Sequence, residues 1–193
     1  MGEVRMEQDR KKEVIENCLN LFIAKGLSET STRDLSGSLK LQNAGLYYYF
    51  NSRSEAVIAC VEAAVLRMES KMILAALKDV DDPDRMIKNL YRHADEMAPT
   101  MRFIVQAYAS PTYRNSLNES LRKLEERNQN TVVRFANKFK CSPSEIEPYV
   151  YMCITAMTNY MVFGSESYVT SQINIVRNKV NELLTRNCGR KEN

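Results

Sequence analysis

The sequence lacks the patterns on which most metal proteins and many enzymes depend. Its 193 residues include a single histidine, His93, and five cysteines that form no CxxC pair. Metal knuckles and thioredoxin-type redox sites need such pairs, so we predict neither. Glycine-rich phosphate loops are also missing. We therefore expect no catalytic residue, no metal and no cofactor, and a Cys–His enzyme built on His93 is the weakest alternative.

Long apolar runs and a strong net charge are missing as well. The nearest candidate for a membrane helix, YMCITAMTNYMVFG, is shorter than the roughly 18 apolar residues required and contains two threonines and an asparagine. The first residues show no apolar signal-peptide core. We expect a cytoplasmic protein with reduced thiols and no membrane partner. The net charge of +3 is too small for a protein that coats nucleic acid without sequence preference, so any binding of DNA would need a local positive surface.

Glycine and proline are few, with six and five copies, and no segment alternates convincingly with period two. This favours an all-α fold. The first helix carries Ile15, Cys18, Leu19 and Phe22 on one face and should end at Gly26. We predict further helices at about 32–39, 42–50, 53–78, 83–97, 112–139, 148–163 and 168–186. A separate turn is expected at 143–147, because Pro148 would clash inside a helix.

Two short polar patterns indicate where helices begin. Ser31 is followed three residues later by Asp34, and Ser52 by Glu55. A hydroxyl at the N-cap and a carboxylate three positions on can bond each other's backbone amides in a capping box. We expect helices to start just after Ser31 and Ser52.

The segment between these helices, QNAGLYYYF at 42–50, has an unusual run of three tyrosines. On a helix, Leu46 and Phe50 lie four residues apart and point to the core. Asn43 and Tyr47 then form one outward stripe, and Ala44 and Tyr48 another. Amide groups can pair with adenine in a major groove, and phenol hydroxyls suit phosphate oxygens. The pattern predicts a DNA-reading helix.

The stretch from Lys12 to about Val57 resembles the DNA-binding domain of the tetracycline repressor (TetR) family. The residues that carry the resemblance read VIENCLNLFIAKG, TSTRDLS and LYYYFNSRSEAV. It implies a three-helix domain with a helix-turn-helix over 1–52. A larger helical ligand-binding and dimerisation domain would follow over 53–187, with a tail at 188–193.

The resemblance also implies roles for individual residues. Thr32 would contact phosphate, Arg33 a base or phosphate, and Tyr47 phosphate; Arg53 would clamp the DNA backbone. The bases would face Gln42, Asn43 and Ala44, and the groove would be lined by Tyr48 and Tyr49. This chain departs from the family at two positions: Lys40 stands where glycine is usual, and Gly45 where threonine, serine or alanine is usual.

For the remaining helices, apolar spacing suggests a ligand pocket and a dimer seam. Packing as plain core is the favoured alternative for each candidate pocket residue: Met68, Leu90, His93, Met97, Phe103, Tyr108, Tyr113 and Thr155. The candidate dimerisation residues lie on the last two helices: Val150, Ile154, Met157, Met161, Val169, Ile173, Val176, Val180 and Leu183. The alternative for the seam is that these faces pack only within one chain.

Together these features predict a homodimeric regulator of transcription that binds double-stranded DNA. We expect a repressor that is released from a palindromic operator by a small, mostly apolar ligand. Two alternatives stay open. One is a thiol redox sensor on the same scaffold, using Cys60 or Cys153. The other is a helical scaffold that dimerises and binds another protein.

Overall fold

The computed structural model describes residues 2–38 and 44–189 of the chain. These residues form nine α-helices and two short 3-10 helices, with no strand among them. The all-α prediction is confirmed. The helices are α1 (Gly2–Lys25), α2 (Thr32–Ser38), α3 (Ala44–Tyr49), α4 (Arg53–Lys78), α5 (Pro83–Ala109), α6 (Pro111–Arg114), α7 (Asn118–Phe139), α8 (Pro143–Phe163) and α9 (Thr170–Gly189). The 3-10 helices span Asn115–Leu117 and Glu166–Tyr168. None of the helices in the described part is both long and apolar enough to cross a membrane.

The chain divides into two compact units. The first consists of Met1–Arg67 and Arg102–Leu121, and the second of Met68–Met101 and Arg122–Asn193. Helices α4 and α5 each contribute residues to both units. The predicted boundary between residues 52 and 53 falls within the first unit, at the start of α4. The functional division into 1–52, 53–187 and 188–193 stays a prediction.

The core of the first unit joins α1, α2 and α3. Leu19, Phe22, Leu35, Leu46 and Phe50 are each at most 1% exposed. The ring of Phe22 also stacks on that of Phe103 from α5, with centroids 5.5 Å apart. Large apolar side chains in these positions exclude water from all three helices and fix the packing of the short helices α2 and α3.

The ends of the first helices follow the predicted signals. Gly26 has a φ of 95° and its amide donates to the carbonyl of Phe22 at 2.8 Å, so it terminates α1 in a left-handed conformation. Ser31 and Asp34 form the reciprocal capping box: the Asp34 amide donates to Ser31 Oγ at 3.1 Å and the Ser31 amide to Asp34 Oδ2 at 2.8 Å.

At the start of α4 only half of the predicted box is present. Ser52 Oγ accepts from the amide of Glu55 at 3.1 Å. The Glu55 carboxylate instead accepts from the backbone and side chain of Asn51, at 2.7 and 2.8 Å. The hydroxyl cap is confirmed, while the carboxylate reaches one residue further back, where an amide side chain offers a second donor.

Two helix predictions based on proline were wrong. Helix α5 continues through Pro99 to Ala109, and α8 starts at Pro143 and contains Pro148. A proline removes one helical hydrogen bond, but buried side chains on both sides hold the helix together. Met97 and Met101 flank Pro99, and Ile146 and Val150 flank Pro148; all four are buried. The predicted helix 112–139 is instead divided into α6, a 3-10 turn and α7.

The second unit has its own apolar core, in which α8 and α9 pack on parts of α4, α5 and α7. This core corrects the interpretation of the predicted dimer seam. Ile154 is half-buried, and the other eight seam residues are buried within the single chain: Val150, Met157, Met161, Val169, Ile173, Val176, Val180 and Leu183. The spacing correctly indicated a packing seam, but these residues pack against helices of the same chain.

Replacing Leu46 with alanine tests the core of the first unit. The side chain is fully buried, so the cavity should lower the free energy of unfolding by about 2–5 kcal/mol in urea denaturation. The control is Leu74→Ala, at a position that is 60% exposed and should change by no more than about 0.5 kcal/mol. Equal effects of the two substitutions would contradict the packing described for α3.

Candidate nucleic-acid interface

Helix α3 presents two tyrosines to solvent. Leu46 and Phe50 are buried, whereas Tyr47 and Tyr48 are 55% and 71% exposed, and Tyr49 is half-buried. The amide of Phe50 donates to the carbonyl of Leu46 at 3.0 Å, which extends the helical pattern to the end of the segment. The predicted division of this segment into an inner and an outer face is confirmed for Leu46, Phe50, Tyr47 and Tyr48.

The two exposed tyrosines differ in how they are held. The Tyr48 hydroxyl donates to Glu7 Oε1 on α1 at 3.3 Å, and its ring meets that of Tyr49 edge to face, with centroids 5.0 Å apart. The Tyr47 hydroxyl has no partner among the described residues. Tyr47 is therefore free to donate to an acceptor outside the chain, and Tyr48 is ordered by α1.

Helix α2 contributes Thr32 and Arg33 at its first turn. Arg33 is exposed, and Thr32 is half-buried beside the capping residue Ser31. Asp34 is engaged by the chain itself: its carboxylate accepts from Lys25 Nζ at 2.6 Å and from Ser31. These hydrogen bonds, that of Lys25 first, lower the pKa of Asp34 far below its ordinary value. Since Lys25 is neutralised there, Arg33 is the positive charge that α2 offers to a partner.

Arg53, predicted to clamp the DNA backbone, makes several contacts within the protein. Its Nη2 donates to the backbone carbonyls of Leu27 and Thr30 at 2.6 and 3.1 Å, and its Nη1 to the hydroxyl of Tyr113. The guanidinium also lies over the rings of Phe22 and Tyr113, 5.8 and 5.7 Å from their centroids. Burial lowers the pKa of Arg53. Arg53 is thus bonded within the protein, and its role as a clamp on the DNA backbone stays a prediction.

Some predicted contact residues cannot be placed. Gln42 and Asn43, together with Lys40, lie outside the described residues. Ala44 opens α3, but its side chain is also outside the described set, as is the environment of Gly45. The surface that the structure brings together therefore consists of Thr32 and Arg33 on α2 and the tyrosines of α3.

The predicted pocket residues fall into both compact units. Met68, Leu90, His93, Met97 and Thr155 belong to the second unit, and Phe103, Tyr108 and Tyr113 to the first. Two of them do not fit a core pocket within one chain. Thr155 is exposed, and His93 contacts Arg92 and Glu96 at the surface. Leu90, Met97 and Phe103 are ordinary buried core residues.

The two remaining tyrosines of that set are more distinctive. Tyr113 is 4% exposed and is bonded to Arg53, as described above. The hydroxyl of Tyr108 is buried and has no hydrogen-bond partner among the described residues. Burial, followed by the charge of Glu62, raises the pKa of Tyr108 and keeps the phenol protonated.

Four of the five thiols are described, those of Cys18, Cys60, Cys141 and Cys153, and their surroundings disfavour ionisation; the side chain of Cys188 lies outside the described residues. Cys18 and Cys60 are fully buried, and burial raises the pKa of Cys18 to about 11 and that of Cys60 still further. Burial also raises the pKa of Cys153 to about 11 and that of Cys141. Protonated thiols are poor nucleophiles, so these environments give no support to the redox alternative. Among the described residues, no group of histidine, cysteine and acidic side chains is arranged to hold a metal ion.

Sequence reasoning missed a cleft in the first unit. It has a volume of about 760 Å³ and lies between the α1–α2 loop, the start of α4 and the α5–α6 junction. Its lining comprises Leu27, Ser28, Thr30, Ser31, Thr32, Arg53, Gln106, Ala109, Ser110, Thr112 and Tyr113. Only packing brings these three segments together, since they are far apart in sequence and share no periodic pattern.

Comparison with known proteins supports the same interpretation of the N-terminal segment. The family model described as "Bacterial regulatory proteins, tetR family" matches residues 14–60, which cover α2 and α3 and parts of α1 and α4. The resemblance to the TetR family is confirmed. No curated protein sequence matches this chain.

Solved structures extend the similarity of fold beyond the TetR segment. The multidrug binding protein EbrR, complexed with imidazole, has a TM-score of 0.61 at 14% identity, over 90% of this chain and 94% of that one. A TetR-family transcriptional regulator from Streptomyces coelicolor has a TM-score of 0.61 at 13% identity, over 93% of this chain and 88% of that one. The chain thus has the fold of TetR-family regulators along most of its length.

The ionisation of Asp34 provides a test of the α2 cap. A carboxyl whose pKa is lowered by folding stabilises the folded state above its ordinary pKa of 3.8, and this contribution is lost as the pH falls through the lowered value. In an NMR titration of the carboxyl carbons, Asp34 should stay ionised below the ordinary range. Lys25→Met should move its pKa back up, since Lys25 is the main cause of the shift.

The matched control is Lys12→Met, because Lys12 pairs with Asp9 at 3.6 Å and not with Asp34. An Asp34 carboxyl that titrates at the ordinary pKa of 3.8 in the unmodified protein would show that the cap does not form in solution.

Proposed function

We propose that this protein is a homodimeric transcriptional regulator that binds a palindromic operator through α2 and α3. The observation that carries the proposal is the orientation of α3, with Leu46 and Phe50 buried and Tyr47 and Tyr48 exposed. An isolated helix of six residues would not be stable in water. Burial of one face therefore holds it in place, and the opposite face can enter a major groove.

The chemistry of the exposed face suits a DNA backbone. Tyr47 offers a phenol donor without a partner in the described residues, and Arg33 offers an exposed guanidinium. Both groups bind phosphate oxygens, and such contacts set the position of a recognition helix on the duplex. Base reading would then fall to Gln42, Asn43 and Ala44 at the start of the recognition segment, which stays a prediction.

Homodimerisation would use the outer faces of α8 and α9, because their inner faces are occupied. Phe163, Tyr168 and Ile175 are 67%, 66% and 47% exposed, and the first two rings lie 5.9 Å apart. On α8 the same face continues through Met152, Thr155 and Asn159, which are partly or fully exposed. Two helices with an exposed apolar face at one end of the chain can pair with their symmetry copies in a four-helix bundle.

Regulation by a small, mostly apolar ligand is the second part of the proposal. The second unit contains buried methionines at Met86, Met97, Met101, Met157 and Met161, and methionine adapts to ligands of different shape. The structurally similar EbrR is named a multidrug binding protein. Helix α4 runs from the first unit into the second, so a ligand that prefers another orientation of α4 would weaken operator binding and act as the inducer of a repressor. A DNA target implies a cytoplasmic location.

The DNA-binding surface is tested by removing one oxygen. Tyr47→Phe keeps the ring and removes the hydroxyl, so affinity for a duplex selected from random DNA should fall. With one hydrogen bond lost in each of two subunits, the expected loss is roughly 10- to 100-fold by fluorescence anisotropy. The stability of the protein should not change, because the hydroxyl has no partner within the described chain.

Tyr91→Phe is the control, since Tyr91 is a half-buried tyrosine of α5 that belongs to neither α3 nor the proposed dimer surface, and it should leave affinity unchanged. If selection yields no duplex that the unmodified protein binds, the transcriptional assignment fails. Equal affinity of Tyr47→Phe and the unmodified protein would instead remove Tyr47 from the interface.

The dimer surface is tested by introducing charge on α9. Ile175→Glu should bury two uncompensated carboxylates between the subunits and weaken dimerisation by on the order of 100-fold or more, as measured by sedimentation velocity. Val133→Glu, at a position on α7 with a comparable exposure of 46%, is the control and should remain dimeric. If Ile175→Glu forms dimers of unchanged stability, the interface lies elsewhere.

A further inference from the structure

The inward orientation of Arg53 links three separate parts of the first unit. Arg53 is the first residue of α4, the carbonyls of Leu27 and Thr30 belong to the α1–α2 loop, and Tyr113 belongs to α6. One guanidinium thus connects segments that are 26, 23 and 60 residues away in sequence. Hydrogen bonds to a charged group are about twice as strong as neutral ones, so this connection is a strong local restraint.

The restrained loop is the one that starts α2. Thr30, only 1% exposed, closes the loop by donating from Oγ1 to the carbonyl of Gly26 at 2.7 Å. The next residue, Ser31, is the N-cap of α2, and Thr32 and Arg33 follow. Because Arg53 holds the carbonyl of Thr30, it fixes the chain immediately before the cap and close to the first proposed DNA contact.

Tyr113 is the third hydrogen-bond partner of Arg53. It is 4% exposed, its hydroxyl accepts from Arg53, and its ring lies 5.7 Å from the guanidinium carbon. Phe22 provides a second ring at 5.8 Å. The Arg53 guanidinium thus contacts two rings and three oxygen acceptors, which use most of its hydrogen-bonding capacity. A DNA phosphate could bind it only by displacing these partners.

We propose that Arg53 is a positioning residue that holds the α1–α2 loop, and with it Thr32 and Arg33, in the DNA-binding arrangement, and that Tyr113 of α6 sets Arg53 in place. This proposal rests on the proposed function. It assigns to α6 a direct connection with the DNA-binding surface. A change at α6 that withdraws the Tyr113 hydroxyl would leave Arg53 with an unsatisfied donor and loosen the start of α2.

The salt dependence of DNA binding separates positioning from clamping. Each phosphate contact contributes about 0.9 to the slope of log K against log salt. Arg53→Gln should lower operator affinity by roughly 10- to 100-fold without changing the slope. Arg33→Gln, the matched control for a lost charge at a proposed phosphate contact, should reduce the slope by about 2 for the dimer. A slope reduced by about 2 in Arg53→Gln would overturn the proposal and restore a phosphate clamp.

Tyr113→Phe tests the other end of the connection with a change of one oxygen. Affinity should fall by roughly tenfold, again with an unchanged slope. The double variant Arg53→Gln/Tyr113→Phe should bind no more weakly than Arg53→Gln alone, because both substitutions remove the same connection. Additive losses in the double variant would show that Tyr113 does not act through Arg53.

Hydrogen exchange gives a readout that does not require DNA. In Tyr113→Phe, amides of the α1–α2 loop and the first turn of α2 should exchange faster by roughly tenfold, while those of α8 and α9 keep their rates. Unchanged exchange in the loop would overturn the proposal, whether or not an operator duplex is found. The two proposals can fail separately. If the unmodified protein binds no selected duplex but loop exchange is faster in Tyr113→Phe, the DNA-binding function is contradicted and the connection between Tyr113 and the loop is supported.

Discussion

The burial of two side chains four residues apart, Leu46 and Phe50, is the constraint on which the candidate interface depends. Helix α3 has only six residues, and its tyrosines favour a strand as much as a helix when taken alone. Burial of both side chains fixes the rotation of α3 about its axis. Tyr47 and Tyr48 are outside because Leu46 and Phe50 are inside, and a shift by one residue would rotate the helix by about 100° and turn Leu46 and Phe50 away from the core.

The segments around α3 are held by hydrogen bonds and an ion pair between residues of the same chain. Asp34 is bonded to Lys25 and to Ser31, Tyr48 to Glu7, and Arg53 to the α1–α2 loop. These contacts stiffen the domain and also reduce the charge available to a partner. Arg33 and Tyr47 are exposed on this surface and have no partner among the described residues.

In the second half of the protein, too, side chains that pack within the chain are not available to a partner. The spacing of the seam suits packing against another helix, and its residues are buried within the single chain: Val169, Ile173, Val176 and Val180. The surface proposed for a second subunit is the opposite side of α8 and α9, where Phe163, Tyr168 and Ile175 are exposed. Likewise, His93 and Thr155 have the chemistry of ligand contacts but lie at the surface.

Local signals in the sequence determined the helices, several of their ends and the two faces of α3. Gly26 at the end of α1, the Ser31–Asp34 cap and the spacing of Leu46 and Phe50 all act through neighbours within four residues, so the sequence alone could specify them. Only the tertiary structure decided that α5 and α8 continue through Pro99 and Pro148, that the α8–α9 seam is internal, and that Arg53 points at Leu27, Thr30 and Tyr113. The reason is physical: these outcomes depend on which distant side chains compete for the same apolar face or the same hydrogen-bonding group, and that competition exists only once the chain has folded.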